Sequence, residues 1–405
     1  MLLRLIRSYI SSFTGLQKEI WLLALGMFIN RSGTMVLMFA SLYLTRDKGF
    51  SMEAAGFIMA FFGLGSILGS FFGGWLTDRW KPIPVMLLSL VSSGIVLLFL
   101  PLAESAGSIS LIVFLNAMLA DMYRPANSAA MKFASNPKNR TRSLSLVRLA
   151  ANLGFSIGPA AGGFIALWFG YNIVFLLDSC TSILASVILF LTFRQKIGLA
   201  GKVQDSDQDS NGKSAYRDLD YLFFILLVAV YAVCFFQLFA GMPLYFKTEC
   251  GFSEDWIGLL LGLNGLVVVL AEMPVIAWLE SHKTPFLLIF FGVVCIPISF
   301  LFLIFGACAI VPAVFYTIVI SFSEIFAMPF MMNFALSRGG QKRQGQYSGL
   351  YSIAYGIANI LAPSLGLYLA ANFGFAQYFN FFILLSLLNA GGFLWLNRRL
   401  NSKSI

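Results

Sequence analysis

The sequence predicts an all-α membrane protein of twelve transmembrane helices in two pseudo-symmetric six-helix bundles, and three observations carry that prediction. Of 405 residues, 59% are hydrophobic and 11% charged, with 42 Phe, whereas roughly a quarter of a soluble domain is charged. The chain also repeats itself. Leu42-Tyr43 and Gly49-Phe50-Ser51 recur as Leu244-Tyr245 and Gly251-Phe252-Ser253, and the same offset of 202 pairs Glu53 with Asp255, Gly56 with Gly258, Gly63 with Gly265, Asp78 with Glu280 and Lys81 with Lys283. Duplication of a hydrophobic unit is the mark of a two-fold repeated membrane bundle. Lastly, uncharged runs recur along the chain at about the 20-residue length a helix needs to cross hydrocarbon.

From the start, residues 1–19 intersperse Arg4, Arg7 and Lys18 with apolar side chains and predict a short amphipathic helix on the membrane face. No small-residue cleavage site follows them, which argues against a signal peptide. Spans are then expected near 20–44, 53–77, 83–102, 109–132, 143–169, 172–193, 220–246, 254–280, 285–305, 309–336, 345–371 and 375–397. The run Gln344–Asn397 holds 54 residues without a charge, too many for one crossing, and Asn372-Phe373-Gly374 supplies the turn that divides it. Between the sixth and seventh spans, Asp205, Asp207, Asp209, Ser206 and Ser210 make the one sustained polar stretch. It reads as a cytoplasmic linker, residues 198–219, joining a six-helix bundle over 1–197 to a second over 220–405. A calcium loop would need a glycine and a closing Glu at spacings that are missing.

Lys and Arg divide 21 to 3 between alternate loops. Under the positive-inside rule that places both termini in the cytoplasm, with the chain crossing a cytoplasmic (inner) cell membrane many times. The net charge of +9 is spread through those loops and forms no nucleic-acid patch. Five cysteines without paired spacing predict neither a disulfide frame nor a metal site, and a single histidine, His282, removes most imidazole chemistry. No nucleophile motif or phosphate loop is present, so an enzyme is not expected, nor any cofactor.

Gly74-Trp75-Leu76-Thr77-Asp78-Arg79-Trp80-Lys81 resembles the loop signature between helices two and three of the major facilitator superfamily, Gly-x-Leu-x-Asp-Arg-x-Gly-Arg-Arg/Lys, with Lys81 where glycine is usual. Gly154-Phe155-Ser156-Ile157-Gly158-Pro159-Ala160-Ala161-Gly162-Gly163 is similar to the fifth-helix signature of the superfamily's twelve-helix drug/proton antiporters, with Ser145 at the upstream glycine. In the fourth helix the family's customary Arg is replaced by Asn116. The resemblance covers the whole chain and implies the major facilitator fold and alternating access. It implies gating roles for Gly74, Asp78, Arg79, Gly154, Gly158, Pro159, Gly162 and Gly163. Small residues every four positions, at Gly65, Gly69 and Gly73 and at Ala150, Gly154, Gly158, Gly162 and Ala166, leave strips where another backbone can approach and slide or simply pack.

Charges inside the spans are the local evidence for function, because each costs at least ~2.5 kcal/mol near the bilayer centre unless paired or hydrated. Arg31, Arg124 and Arg148 with Asp121 and Asp178 fall in the first half, and Glu272 and Glu324 in the second. Asp121 and Arg124, at i and i+3, can neutralise one another. Asn30, Arg31, Arg124 and Asp178 are candidates for the substrate cavity, and Glu324, Asp121 and Glu272 for proton coupling. The expected function is proton-coupled efflux of small amphipathic compounds, with a small-molecule substrate, protons and the lipid bilayer as partners and a monomer as the working unit. Proton-coupled uptake of a zwitterion such as a peptide, amino-acid-like compound or siderophore suits the same charges. A non-transporting membrane receptor would need partner-binding loops longer than these.

Overall fold

The computed structural model describes residues 16–32, 35–134, 140–193, 214–280, 285–306, 308–338 and 344–402. The expected N-terminal amphipathic helix and most of the linker lie outside the described residues, as do the side chains of Asp78 and Arg148.

Each expected span falls on helix. The first, α1, comprises Lys18–Ser32 and Met35–Leu42 and closes in a π-helical turn, Tyr43–Asp47. It is followed by α2 (Met52–Trp80), α3 (Pro82–Leu97), α4 (Ala106–Asp121 and Tyr123–Ala134), α5 (Arg140–Phe169) and α6 (Tyr171–Phe193). The second half holds α7 (Leu219–Phe235 and Gly241–Thr248), α8 (Glu254–Glu280), α9 (Pro285–Phe305) and α10 (Ile310–Arg338). Gln344–Ser402 is one continuous helical stretch except at Gly374, where φ is 77°. That residue separates α11 from α12, as its position in the long uncharged run predicts.

Repeat-related glycines make the turns. Gly49 and Gly251, and likewise Gly170 and Gly374, have φ between 67° and 79°, a left-handed conformation in which a Cβ would be strained. A methyl group at any of the four would meet nothing within 4 Å, so backbone conformation and not space demands glycine there. Lys81, in the α2–α3 turn, has φ 77° and ψ 156°. This is nearly a glycine-only region, which costs a lysine about 1–3 kcal/mol.

Two helices break where proline predicts. Pro125 has no N–H for the carbonyl of Asp121, and α4 stops at Asp121 and resumes at Tyr123. In α7 the chain tightens into a 3-10 turn, Phe236–Leu238, shortly before Pro243. Buried Gln237 bridges that break: its Nε2 donates to the carbonyls of Val233 (3.1 Å) and Ala362 (3.0 Å), and its Oε1 accepts from the Tyr378 hydroxyl (2.8 Å).

Packing sorts the chain into two compact units, Met1–Val36 with Gly65–Gln204, and Leu37–Leu64 with Asp205–Ile405. In the first unit the glycine strips bring backbones together. A methyl group at Gly69 would lie 2.1 Å from the Met118 carbonyl of α4, and one at Gly158 would lie 2.3 Å from the Ser32 carbonyl of α1. Serine and asparagine tie α3 to its neighbours, Ser89 donating to the Leu119 carbonyl (2.6 Å), Asn116 to that of Ser93 (3.0 Å) and Ser179 of α6 to that of Gly94 (2.5 Å). The second unit includes the N-terminal part of α2, where Gly56 and Gly63 press on α11. A methyl group there would fall 2.8 Å from the Pro363 carbonyl and 2.7 Å from the Ile360 nitrogen. Asn372 also donates to Glu53.

One end of the second unit is tied by charge. Asp218 caps α7, accepting from the Tyr221 N–H at 3.2 Å, while Arg338 of α10 grips both its carboxylate oxygens at 2.6 and 2.9 Å. Arg399 of α12 pairs with Asp220 at 2.7 Å. Burial pushes the Asp218 carboxyl up, but the Arg338 and Tyr221 bonds outweigh it, and the group lies below its ordinary range.

At the other end, Cys250 and Cys308 form a disulfide with Cα atoms 4.8 Å apart. This corrects the expectation of no disulfide. Cys250 follows α7 and Cys308 precedes α10, so antiparallel helices bring together two residues separated by 58 positions. Alkylation of the denatured chain without reductant is expected to modify Cys180, Cys234 and Cys295 alone, and all five cysteines after reduction. Intact-mass measurement counts the labels; five before reduction would show that the bridge does not form.

Candidate functional site

In the first unit the break in α4 sets the site. Asp121 ends the first segment of that helix and Arg124 lies in the first turn of the second, and the Arg124 Nε lies 3.2 Å from the Asp121 Oδ1. Ser66 of α2 donates to the other carboxylate oxygen. Asp121 therefore has one cation and one hydroxyl to satisfy it, which is what a carboxylate within the spans requires. Arg31 of α1 is buried, 6% exposed, with its guanidinium 5.4 Å from the Phe155 ring, and it feels the charges of both Arg124 and Asp121. Arg124 is the open member, its side chain 53% exposed. The structure thus gathers three of the sequence-predicted residues into one polar cluster, with two positive charges and one negative.

Asn30 is partly buried on α1. Asp178 stands apart. It lies on α6, 7% exposed, and no described charge acts on it.

The second unit carries its acids on α8 and α10. Glu272 is buried. Glu324 adjoins Ser323, whose hydroxyl and carbonyl both lie 3.2 Å from the Tyr231 hydroxyl of α7, and Glu324 is close enough to act electrostatically on Tyr231 and on Tyr355 of α11. The Tyr351 hydroxyl bonds that of Tyr355 at 3.2 Å, and the Phe236 ring packs 5.9 Å from that of Tyr355. A further bond, Asn264 Nδ2 to Ser321 Oγ at 3.0 Å, links α8 to α10 one turn from Glu324.

The expected gating residues divide. Gly154 and Gly158 lie against α1, where a methyl group would fall 2.6 Å from the Phe28 carbonyl and 2.3 Å from that of Ser32. Gly162 and Gly163 are buried, Pro159 lies within α5, and a methyl group at Gly74 would meet nothing. Exposed Arg79 stacks on Trp75 at 4.2 Å. Sequence reasoning missed Ser66 and Phe155 as partners of the charged cluster. Ser66 had a signal, since it follows Gly65 on the strip that meets α4; Phe155, next to Gly154, had a similar one.

The family model described as Major Facilitator Superfamily matches residues 23–363. A Na(+), Li(+), K(+)/H(+) antiporter of Planococcus maritimus is 26% identical over 410 aligned residues, covering 91% of this chain and 92% of that one. Multidrug resistance protein 2 of Bacillus subtilis is 24% identical over 55% of this chain and 57% of its own length. Among solved structures, a peptide transporter, POT, superposes with a TM-score of 0.80 at 16% identity, covering 96% of both chains. At that identity the likeness concerns the fold.

Proposed function

Because this chain belongs to the Major Facilitator Superfamily, we propose that it is a proton-coupled exporter of small amphipathic compounds that works by alternating access, with both termini in the cytoplasm. Secondary transport across a membrane comes with the family; the substrate class, direction and coupling ion are the proposal. The observation that carries it is the cluster of Asp121, Arg124, Arg31 and Ser66 inside the spans. Ionised groups are kept in a bilayer at a cost of several kcal/mol only where they line a substrate or ion path or hold a switch. Arg124 is exposed enough to meet a solute, whereas Asp121 is held by two partners and positions it. Relatives named as a cation/proton antiporter and a multidrug resistance protein support exchange against protons and export. Glu324 and Glu272 supply carboxyls in the second unit that take and release protons as their surroundings alternately dry and fill with water.

The test is substrate-induced proton flux in proteoliposomes carrying an internal pH dye. Ethidium, rhodamine 6G and an uncharged amphiphile are added in turn under an imposed pH gradient. At least one is expected to move protons against its own flux. If sodium, lithium or potassium salts alone move them, the reading passes to inorganic cation exchange; if accumulation follows the proton gradient inward, the direction is reversed.

A further inference from the structure

Asp178 is a carboxyl that neither the polar cluster nor the glycine packing uses. It lies seven residues into α6, about 10 Å from the helix end at 1.5 Å per residue, on a face that also carries buried Ser182 one turn on. Its neighbour Ser179 spends its hydroxyl on the Gly94 carbonyl. No hydrogen bond or ion pair holds the Asp178 side chain among the described residues. Among the described residues, the helices packed against α6 bring it no charge. α3 has no ionisable residue, and the outer half of α5, from Gly154 to Phe169, has none. On α1, Lys18 and Glu19 lie at the far end, Arg31 is engaged with Asp121, Arg124 and Tyr123, and Tyr43, Arg46 and Asp47 belong to the closing turn, which packs with the second unit. Arg148 of α5 lies toward its opposite end. On α6 itself the remaining titratable groups are Tyr171 and exposed Cys180.

We propose that Asp178 is a proton-binding site of the first unit, separate from the Asp121–Arg124 pair. A carboxylate taken out of water without a cation is unfavourable by far more than a neutral acid, so a group in this position holds a proton while its surroundings are dry. Water or a cation reaching α6 releases the proton. Asp121 differs, because Arg124 and Ser66 hold its carboxyl oxygens. Two carboxyls in one unit therefore divide the work: one fixes an arginine, the other carries a proton. The role in transport rests on the proton-coupled reading above; the protonation itself does not.

Dicyclohexylcarbodiimide tests it directly on the purified full chain. A protonated carboxyl adds across the carbodiimide, its proton going to one nitrogen and its oxygen to the central carbon. The O-acylisourea then rearranges to a stable N-acylurea, with nothing lost and no redox change. At about pH 8, where ordinary carboxyls are ionised, peptide mass spectrometry is expected to find the adduct on Asp178 and not on Asp121. The infrared difference between the parent and Asp178→Asn is expected to contain the carbonyl stretch of one protonated acid, and the pH profile of proton flux is expected to shift in that variant. Absence of both the adduct and that difference band overturns the proposal. So does an Asp178→Asn chain with the parent pH profile, the behaviour of an acid kept only for packing. An adduct on Asp178 in a chain that moves no protons with any compound upholds the proton site and removes the transport reading instead.

Discussion

Glu324→Gln is expected to abolish accumulation driven by a pH gradient while leaving substrate binding and gradient-free exchange intact. The amide matches the neutral acid in size and in its ability to donate, so the contacts around Ser323, Tyr231 and Tyr355 have no reason to change. What is lost is the capacity to release a proton. Alternating access drives coupling only if the two states differ in their affinity for the ion, and a side chain that cannot ionise offers no difference. Counterflow and pH-driven uptake into the same proteoliposomes separate the two activities. Full pH-driven accumulation by the variant would move the coupling role to Asp121, Glu272 or Asp178.

Gly158→Leu is expected to destabilise the folded protein and lower its yield. The repeated small residues on α5 suggest from sequence a surface on which a neighbour slides, with transport lost and folding retained. The structure sets Gly158 against α1 within the same unit, with a Cβ position only 2.3 Å from the Ser32 carbonyl oxygen. Backbone cannot yield as a flexible side chain does, so even alanine forces the two helices apart. Overpacking of this kind costs about 1–3 kcal/mol, and leucine adds a branched side chain to the clash. Melting in detergent is expected to begin several degrees below the parent, with transport falling in proportion to folded protein. A variant with the parent melting temperature and no transport would restore the sliding role.

The sequence by itself determined the class, the twelve spans and the pairing of the halves. Hydrophobic run length and the repeat express constraints acting along the chain: a helix must cover about 30 Å of hydrocarbon, and glycine is needed wherever the turn is left-handed, as at Gly49, Gly170, Gly251 and Gly374. The α4 break, within a span expected to run unbroken over 109–132, has a local cause in Pro125, because the missing donor and the orphaned carbonyl are four residues apart. The charged residues within the spans were legible for a related reason, since their cost depends on depth and depth follows from counting residues. Which of those charges meet was not legible beyond the i, i+3 pair of Asp121 and Arg124. Ser66, Arg31 and Phe155 come from other helices, and the rotation of each helix about its axis is set by packing, such as the glycine contacts of α2 with α4 and of α5 with α1. For the same reason only the tertiary structure joined Cys250 to Cys308, gathered Asp218, Arg338 and Tyr347, and left Asp178 without a counter-charge among the described residues. Depth in the membrane is a property of one helix and can be read along the chain; partnership is a property of several and depends on how their faces turn toward one another.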